Sequence, residues 1–270
     1  MLSILATRGV ALFAMSYDSI PILRVFATEH GISFPLLSDE GSHVIRRLGL
    51  LNERVQEDHA VYGIPPNPRH VGVPYPGVFV LDERGIVVRK RFHDSYRERD
   101  TGPGLVAHAL DLLAAAPIEG APSSGDPVGI RAWLDSPTYA WFQRLLLTVE
   151  VVTTPGVGVF GHRAPPGFVP LSVAVEQIEG LEVGPTTWSP PQYRVKGLHE
   201  KFGVHEGTIR GSLPLTFTAP PGHGDQIVHV NVAYQACSEA NASPASSIRL
   251  DLLVQERPLI GRVLPSGGKT

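Results

Sequence analysis

The sequence predicts two domains of different class, an α/β layered domain followed by an all-β sandwich. Three observations carry this. Up to about Ala116, short apolar runs alternate with stretches at helical spacing, the pattern of an α/β layer fold. From Leu145 onward the apolar period becomes two, with Pro and Gly turns between short runs and no long helical stretch, which is the pattern of a β-sandwich. Between them, residues 117–129 (PIEGAPSSGDPVG) are rich in Pro, Gly and Ser, lack apolar periodicity and read as a linker. The 270-residue length agrees with two domains of roughly 100–150 residues each. The expected spans are 1–116 for the first domain and 130–262 for the second.

In the first half, Val10 to Ser16 is an apolar run of buried-strand length. Ser19 is a candidate N-cap, with Pro21 in the first turn of a helix, an apolar face of Ile22, Leu23, Val25 and Phe26, and Gly31 at the C-terminal end. Phe34 to Asp39 reads as a short extended segment, and Ser42 to Leu48 as a helix closed by Gly49. Val78–Leu81 and Ile86–Val88 flank Asp82-Glu83-Arg84-Gly85, a hairpin signal. Leu105 to Ala115 is expected as a last, Ala/Leu-rich helix.

The second half is read by parity. Ile209, Leu213, Leu215 and Phe217 share one face with Gly211 among them. Val228, Val230, Val232 and Tyr234 share another, opposite His229, Asn231 and Ala233. Ile248, Leu250, Leu252 and Val254 alternate with Arg249 and Asp251. Leu145–Val152 and Leu171–Val175 are further strands.

Composition excludes several classes of function. A net charge of -3 without a dense Lys/Arg cluster argues against nucleic acid as a partner. The short runs Arg89-Lys90-Arg91 and Arg97-Glu98-Arg99-Asp100 read as solvated faces. No apolar run approaches the ~20 residues of a membrane span. Met1 to Gly9 lacks the basic start and apolar length of an export signal, so the chain as written reads as cytoplasmic. One cysteine, Cys237, rules out an intramolecular disulfide and a Cys-based zinc cage. The histidines show no HxxxH or HExxH spacing, and His199, His205 and His229 are expected at the surface. There is no Gly-rich phosphate loop and no G-x-S-x-G elbow, so no cofactor and no metal is expected.

Two resemblances sharpen this reading. Ala14-Met15-Ser16-Tyr17-Asp18-Ser19, Phe26 to Asp39, and Gly72-Val73-Pro74-Tyr75-Pro76-Gly77-Val78-Phe79-Val80-Leu81-Asp82-Glu83-Arg84-Gly85 occur in an order that resembles the redoxin family, the AhpC/TSA-type, peroxiredoxin-like branch of the thioredoxin fold. The resemblance implies a thioredoxin-like domain that is incomplete. The family's nucleophilic thiol starts its first long helix, and Met1 to Arg8 matches only the tail of that helix. The absent strand lies inside the family's sheet, so its loss implies an unpaired edge with exposed apolar side chains, and a fragment of a longer gene product is the expected explanation. Pro76 stands where thioredoxin-like oxidoreductases carry a cis-proline and peroxiredoxins an arginine, which points by resemblance to disulfide exchange. The alternative is a proline that merely opens a strand.

Beyond Leu147, Gly156-Val157-Gly158-Val159-Phe160-Gly161, Gly167-Phe168-Val169-Pro170, Trp188-Ser189-Pro190-Pro191, Val204-His205-Glu206-Gly207 and above all Val232-Ala233-Tyr234-Gln235-Ala236-Cys237 resemble the N-terminal domain of DsbD-type thiol:disulfide interchange proteins. That resemblance implies an immunoglobulin-like sandwich and an envelope setting. In that family a second cysteine follows and pairs with the first. Aligned on Pro244, its place here holds Ala242, so the pair cannot close. Cys237 is then either a thiol able to form a mixed disulfide with a thiol-containing redox protein, or a small buried hydrophobe. Tyr234 and Phe160 either shield the thiol or belong to the core. The expected function is a redoxin-family protein of thiol-disulfide or antioxidant lineage without turnover of its own. The alternatives are a non-catalytic docking module or an inert fragment.

Overall fold

The structure, a computed structural model, describes residues 2–61, 65–93, 98–110, 127–190, 192–196, 200–220, 222–239 and 241–257. The chain divides into two compact units, Met1–Glu98 and Arg99–Thr270.

The first unit contains α1 (Leu2–Thr7), β1 (Ala14–Ser16), α2 (Ile20–Glu29), β2 (Leu36–Ser38), α3 (His43–Arg47), α4 (Val55–Val61), β3 (Gly77–Leu81) and β4 (Val87–Phe92). Ser19 is the N-cap of α2 through its backbone only: its carbonyl accepts from Leu23, while its hydroxyl makes no capping bond. At α3 the cap comes from outside the expected helix. The Asp39 carboxylate accepts the N–H groups of Val44 and Ile45 at 3.0 and 2.8 Å, and Ser42 donates to the Gly72 carbonyl instead. Burial raises the Asp39 pKa, but these backbone donors outweigh it and hold the carboxyl below its usual range.

The strands form two separate two-stranded sheets. β1 and β2 pair in parallel, and β3 and β4 form the expected antiparallel hairpin. In the hairpin turn, Asp82 accepts from the N–H groups of Arg84 and Ile86. The apolar side chains Phe13, Met15, Leu37, Leu81 and Val88 remain exposed.

The second unit begins earlier than residue 130. β5 (Arg99–Asp100) and α5 (Gly102–Leu110) belong to it, because β5 pairs in parallel with Gln143–Arg144 and Thr101 donates to the Arg144 carbonyl. The helix expected over 105–115 thus starts at Gly102 and belongs to the second unit; residues 111–116 and most of the expected linker lie outside the described residues. Val128 and Gly129, read as linker, open a strand. The remaining strands are β6 (Val128–Leu134), β7 (Thr138–Tyr139), β8 (Gln143–Thr153), β9 (Gly158–Phe160), β10 (Ser172–Val175), β11 (Leu181–Val183), β12 (Thr187–Trp188), β13 (Gln192–Lys196), β14 (Glu200–Glu206), β15 (Thr208–Phe217), β16 (Gln226–Tyr234), β17 (Ala236–Cys237) and β18 (Ser246–Glu256).

One sheet runs β10-β16-β18-β7; another runs β11-β15-β8-β5, with β6 also on β8 and β12 on β15; a third runs β13-β14-β9-β17. The first two share one core. Leu145, Leu147, Val149 and Val151 of β8 meet Ile209, Leu213 and Leu215 of β15 and Val228, Val230 and Val232 of β16. These are the inward parities of the sequence, because residues two apart in a strand face the same side. Gly211 interrupts the β15 set for a steric reason: a Cβ there would lie 2.5 Å from the Trp188 ring. The opposite face of the sheet is also partly closed. Glu150 of β8 is bound by Arg131 of β6 and Arg210 of β15, the residues directly across from it on each side. Among the described residues no helix is long and apolar enough to cross a membrane.

Asp135 ties α5 to the sandwich. Its carboxylate accepts the Leu146 N–H at 2.9 Å and the Thr101 hydroxyl, whose oxygen in turn caps α5 through the Gly104 N–H at 3.0 Å. Burial, aided by the charge of Asp100, pushes the Asp135 pKa up against these donors. The protonated form is therefore favoured in the fold, and the associated stability is complete at low pH and lost as pH rises through the raised value. Replacing Asp135 with alanine strips both donors of their acceptor and is expected to cost about 2 kcal/mol. Urea unfolding of the full chain measures this, and an unchanged midpoint would contradict it.

Candidate functional site

The site is built around Cys237, the last residue of the two-residue strand β17. Ala236 and Cys237 pair antiparallel with Val159 and Gly158 of β9, and Gly158 pairs on its other side with Glu206 of β14. Glu206, Gly158 and Cys237 therefore form one row across three strands. Glycine is required in the middle: a Cβ at 158 would stand 2.3 Å from Val204 Cγ1 and 3.1 Å from Glu206 Cγ.

Cys237 is only 6% exposed. It packs with Phe160, Phe202 and Val204 in a small apolar cluster separate from the main core, with Ala164 and Phe168 against it. The Phe160 ring lies 4.8 Å from that of Phe168 and 5.8 Å from that of Phe202. Of the two aromatic side chains expected to shield the thiol, Phe160 shares its cluster, whereas Tyr234 packs against the main core. Tyr234 ends β16 and Cys237 lies in β17, strands of different sheets.

After Cys237 the chain turns back and sets Ala242 directly opposite, as an isolated antiparallel bridge. Ser243 donates to the Ala236 carbonyl at 2.9 Å and Ser238 donates to the Asn241 carbonyl at 2.8 Å. The hydrogen bonds thus flank the 237/242 pair without being made by it. Such non-hydrogen-bonded pairs bring Cα atoms to about 4.5 Å, inside the roughly 4.4–6.8 Å that a disulfide spans. The position aligned by sequence with the missing cysteine is therefore the cross-strand neighbour of Cys237.

Gln235 holds this arrangement, a role the sequence did not reveal. Its side-chain carbonyl accepts from Val169 N–H and its amide donates to the Ser243 carbonyl, both at 2.8 Å, tying the 167–170 segment to the returning strand. Its place in the Tyr-Gln-Ala-Cys run was visible; its contacts depend on segments far away in sequence. A cleft of about 240 Å³ is lined by Cys237, Ala242, Ser238, Asn241, Val157 and their neighbours.

The other candidates fall elsewhere. Among the described residues no peptide bond is cis, so Tyr75–Pro76 is trans, and the cis-proline expectation for Pro76 is corrected. Tyr75 N–H donates to the Leu50 carbonyl, and Pro76 leads directly into β3, so its role is to open a strand. His205 is buried, not at the surface: its ring lies 6.5 Å from that of Trp188. Burial, with the neighbouring His162, lowers its pKa and so disfavours its charged form. His229 pairs with Asp251 at 2.7 Å, and His199 and Arg97 lie outside the described residues. Among the described residues no three His, Cys, Asp or Glu side chains group to hold a metal ion.

Residues 2–90 match the model of the AhpC/TSA family. No curated protein matches the chain. Among solved structures, the reduced N-terminal domain of DsbD from Neisseria meningitidis is similar at 12% identity and a TM-score of 0.28, covering 39% of this chain and 74% of that one. The N-terminal periplasmic domain of ScsB from Proteus mirabilis is similar at 12% identity and a TM-score of 0.34, covering 50% of this chain and 49% of that one. AggA, a fimbrial major subunit from Escherichia coli, is similar at 10% identity and a TM-score of 0.25, covering 51% of this chain and all of that one. Scores this low do not distinguish a redox domain from a fimbrial subunit.

Proposed function

We propose that this chain is a thiol-disulfide lineage protein that stops at a mixed disulfide: its second unit, an immunoglobulin-like sandwich, captures a thiol-containing redox partner through Cys237 and does not turn over alone. The observation that carries this is the 237/242 pair, a cross-strand position of disulfide geometry with alanine on one side. The AhpC/TSA match over residues 2–90 supports the lineage for the first unit.

The chemistry follows from one thiol. The Cys237 thiolate attacks one sulfur of a partner disulfide, and the partner's S–S bond breaks. The other partner sulfur leaves as a thiolate and takes up the proton that Cys237 gave up. A second thiol at residue 242 would then release the partner by forming an internal disulfide. Alanine has no such sulfur, so release needs an external thiol. In this reading the partner reaches the thiol through the cleft that Cys237 and Ala242 line.

Titration of the native protein with an aromatic disulfide reagent tests this. One equivalent of leaving thiolate is expected, with an adduct on Cys237 that persists until excess thiol is added. Insulin reduction driven by dithiothreitol should stay at the background rate, equal to that of Cys237→Ser. A thiol that reacts only after denaturation would make Cys237 a core residue, and insulin turnover above background would overturn the block.

A further inference from the structure

We infer that the carboxylate of Glu206 restrains Cys237, opposing the loss of its proton across the gap that Gly158 leaves between them. This deepens the reading of Cys237 as an attacking thiol and rests on it. Phe202, Val204 and Glu206 alternate along β14, so they share the face on which Phe160 and Cys237 cluster. Glu206 and Cys237 flank Gly158 in one row, each a single strand spacing of about 4.8 Å from it. Any larger residue at 158 would stand between the two side chains. Instead Glu206 leans into that place: its Cγ lies 3.1 Å from where a Cβ of residue 158 would be. The Cγ is thus over β9, about one strand spacing from β17, with the carboxylate one bond further on. Glu206 Oε1 is closed off from solvent.

At such a separation a carboxylate disfavours a second negative charge on the sulfur, and the burial of Cys237, only 6% exposed, acts in the same direction. The buried side chains clustered with the thiol, Phe160, Phe202 and Val204, are apolar and offer no compensating charge. Alternation turns His205 to the other side of β14. Of the charged groups nearest in the chain, His162 and Arg163 are exposed after β9, and Glu239 is exposed in the turn beyond β17. The consequence is a thiol that stays protonated, and slow to attack, until the pH rises or the charge at Glu206 is removed. The same restraint slows oxidation of the sulfur, because susceptibility follows thiolate character.

Titration of the native full chain, followed by the ultraviolet absorbance of the thiolate, tests this; Cys237→Ser supplies the tyrosine background. The wild-type midpoint is expected above the ordinary cysteine value of about 8.5. Glu206→Gln should lower it by about one pH unit, with far-UV circular dichroism unchanged. Glu206→Asp, which keeps the charge, should stay closer to the wild type. A wild-type midpoint at or below the ordinary value would overturn the inference without any variant. So would a Glu206→Gln midpoint that does not fall, or a Glu206→Asp midpoint that falls as far. Where the native thiol reacts with an uncharged disulfide, Glu206→Gln should react about threefold faster near neutral pH. That is less than the roughly tenfold gain in thiolate, because a less basic thiolate is a weaker nucleophile. A slower Glu206→Gln would make Glu206 a base that helps the thiolate form, and would overturn the inference. Absorbance needs no reagent to reach the sulfur. A midpoint that shifts as expected in a thiol that attacks no disulfide in the native state would therefore sink the capture reading and leave the Glu206 effect standing.

Discussion

Replacing Ala242 with cysteine is expected to create a disulfide with Cys237 in the native chain. The two residues face one another as a non-hydrogen-bonded antiparallel pair, held by bonds on either side and by the Gln235 clamp. On exposure to oxidised glutathione the two thiols lose two protons and two electrons to the reagent, which is reduced to two thiols. The thiol count of the unfolded protein should fall to none and return to two with dithiothreitol. Closing so short a loop stabilises by about 2 kcal/mol in the chain-entropy account, so the oxidised form should unfold at higher denaturant than the reduced one. The substitution should also change function. An internal thiol now resolves the mixed disulfide, so reduced Ala242→Cys should turn over in the insulin assay where the natural chain does not. If the two cysteines stay reduced, or cross-link only between molecules, the register described for residues 237–242 is wrong. If they pair but no turnover appears, the register stands and the lineage reading of the site fails.

The second large effect is on the sandwich itself. Glu150 is 3% exposed and lies between two guanidinium groups, with Arg131 at 2.6 Å and Arg210 at 2.7 Å. Burial alone would raise its pKa. The hydrogen bonds from Arg210 and Arg131, with their charges, outweigh that and hold it below the ordinary value of 4.5. Removing one member of a buried ionic group leaves the others uncompensated, so Glu150→Gln is expected to destabilise the second unit by about 3 kcal/mol. The pH dependence has a definite sign. A carboxyl whose folded pKa is depressed contributes stability that is fully present above its unfolded value and lost as pH falls through the folded one. The wild type should therefore lose stability as pH drops below about 4.5, and Glu150→Gln should lose less over that window. Chemical denaturation followed at a series of pH values measures both effects. Equal acid sensitivity in the two proteins would remove Glu150 from the account. Asp135, with its raised pKa, contributes in the opposite direction and is unaffected by the substitution.

Much of the second unit's strand pattern was legible in the sequence because its signal is local. The inward residues of β8, β15 and β16 alternate strictly, and alternation alone assigns them to one face. The glycine within the β15 set was visible too, but its cause, the ring of Trp188 some twenty residues upstream, was not. Helix ends were read less well. The Asp39 cap on α3 and the backbone-only cap at Ser19 depend on how the chain enters each helix. His205, between Val204 and Glu206, was misassigned because the local sequence carries no mark of the distant ring beside it.

The candidate site divides in the same way. By itself the sequence determined that the chain has one thiol and that this thiol closes the Tyr-Gln-Ala-Cys run. Those are facts of composition and order, and no folding could change them. Only the tertiary structure decided that Ala242 stands directly across from Cys237, that Phe160 and not Tyr234 closes over it, that Pro76 is trans, and that α5 belongs to the sandwich. Each of those depends on contacts between residues distant in the chain or on a choice between backbone states of similar energy. Local pattern does not encode either, because a strand's register is set by the neighbour it finds.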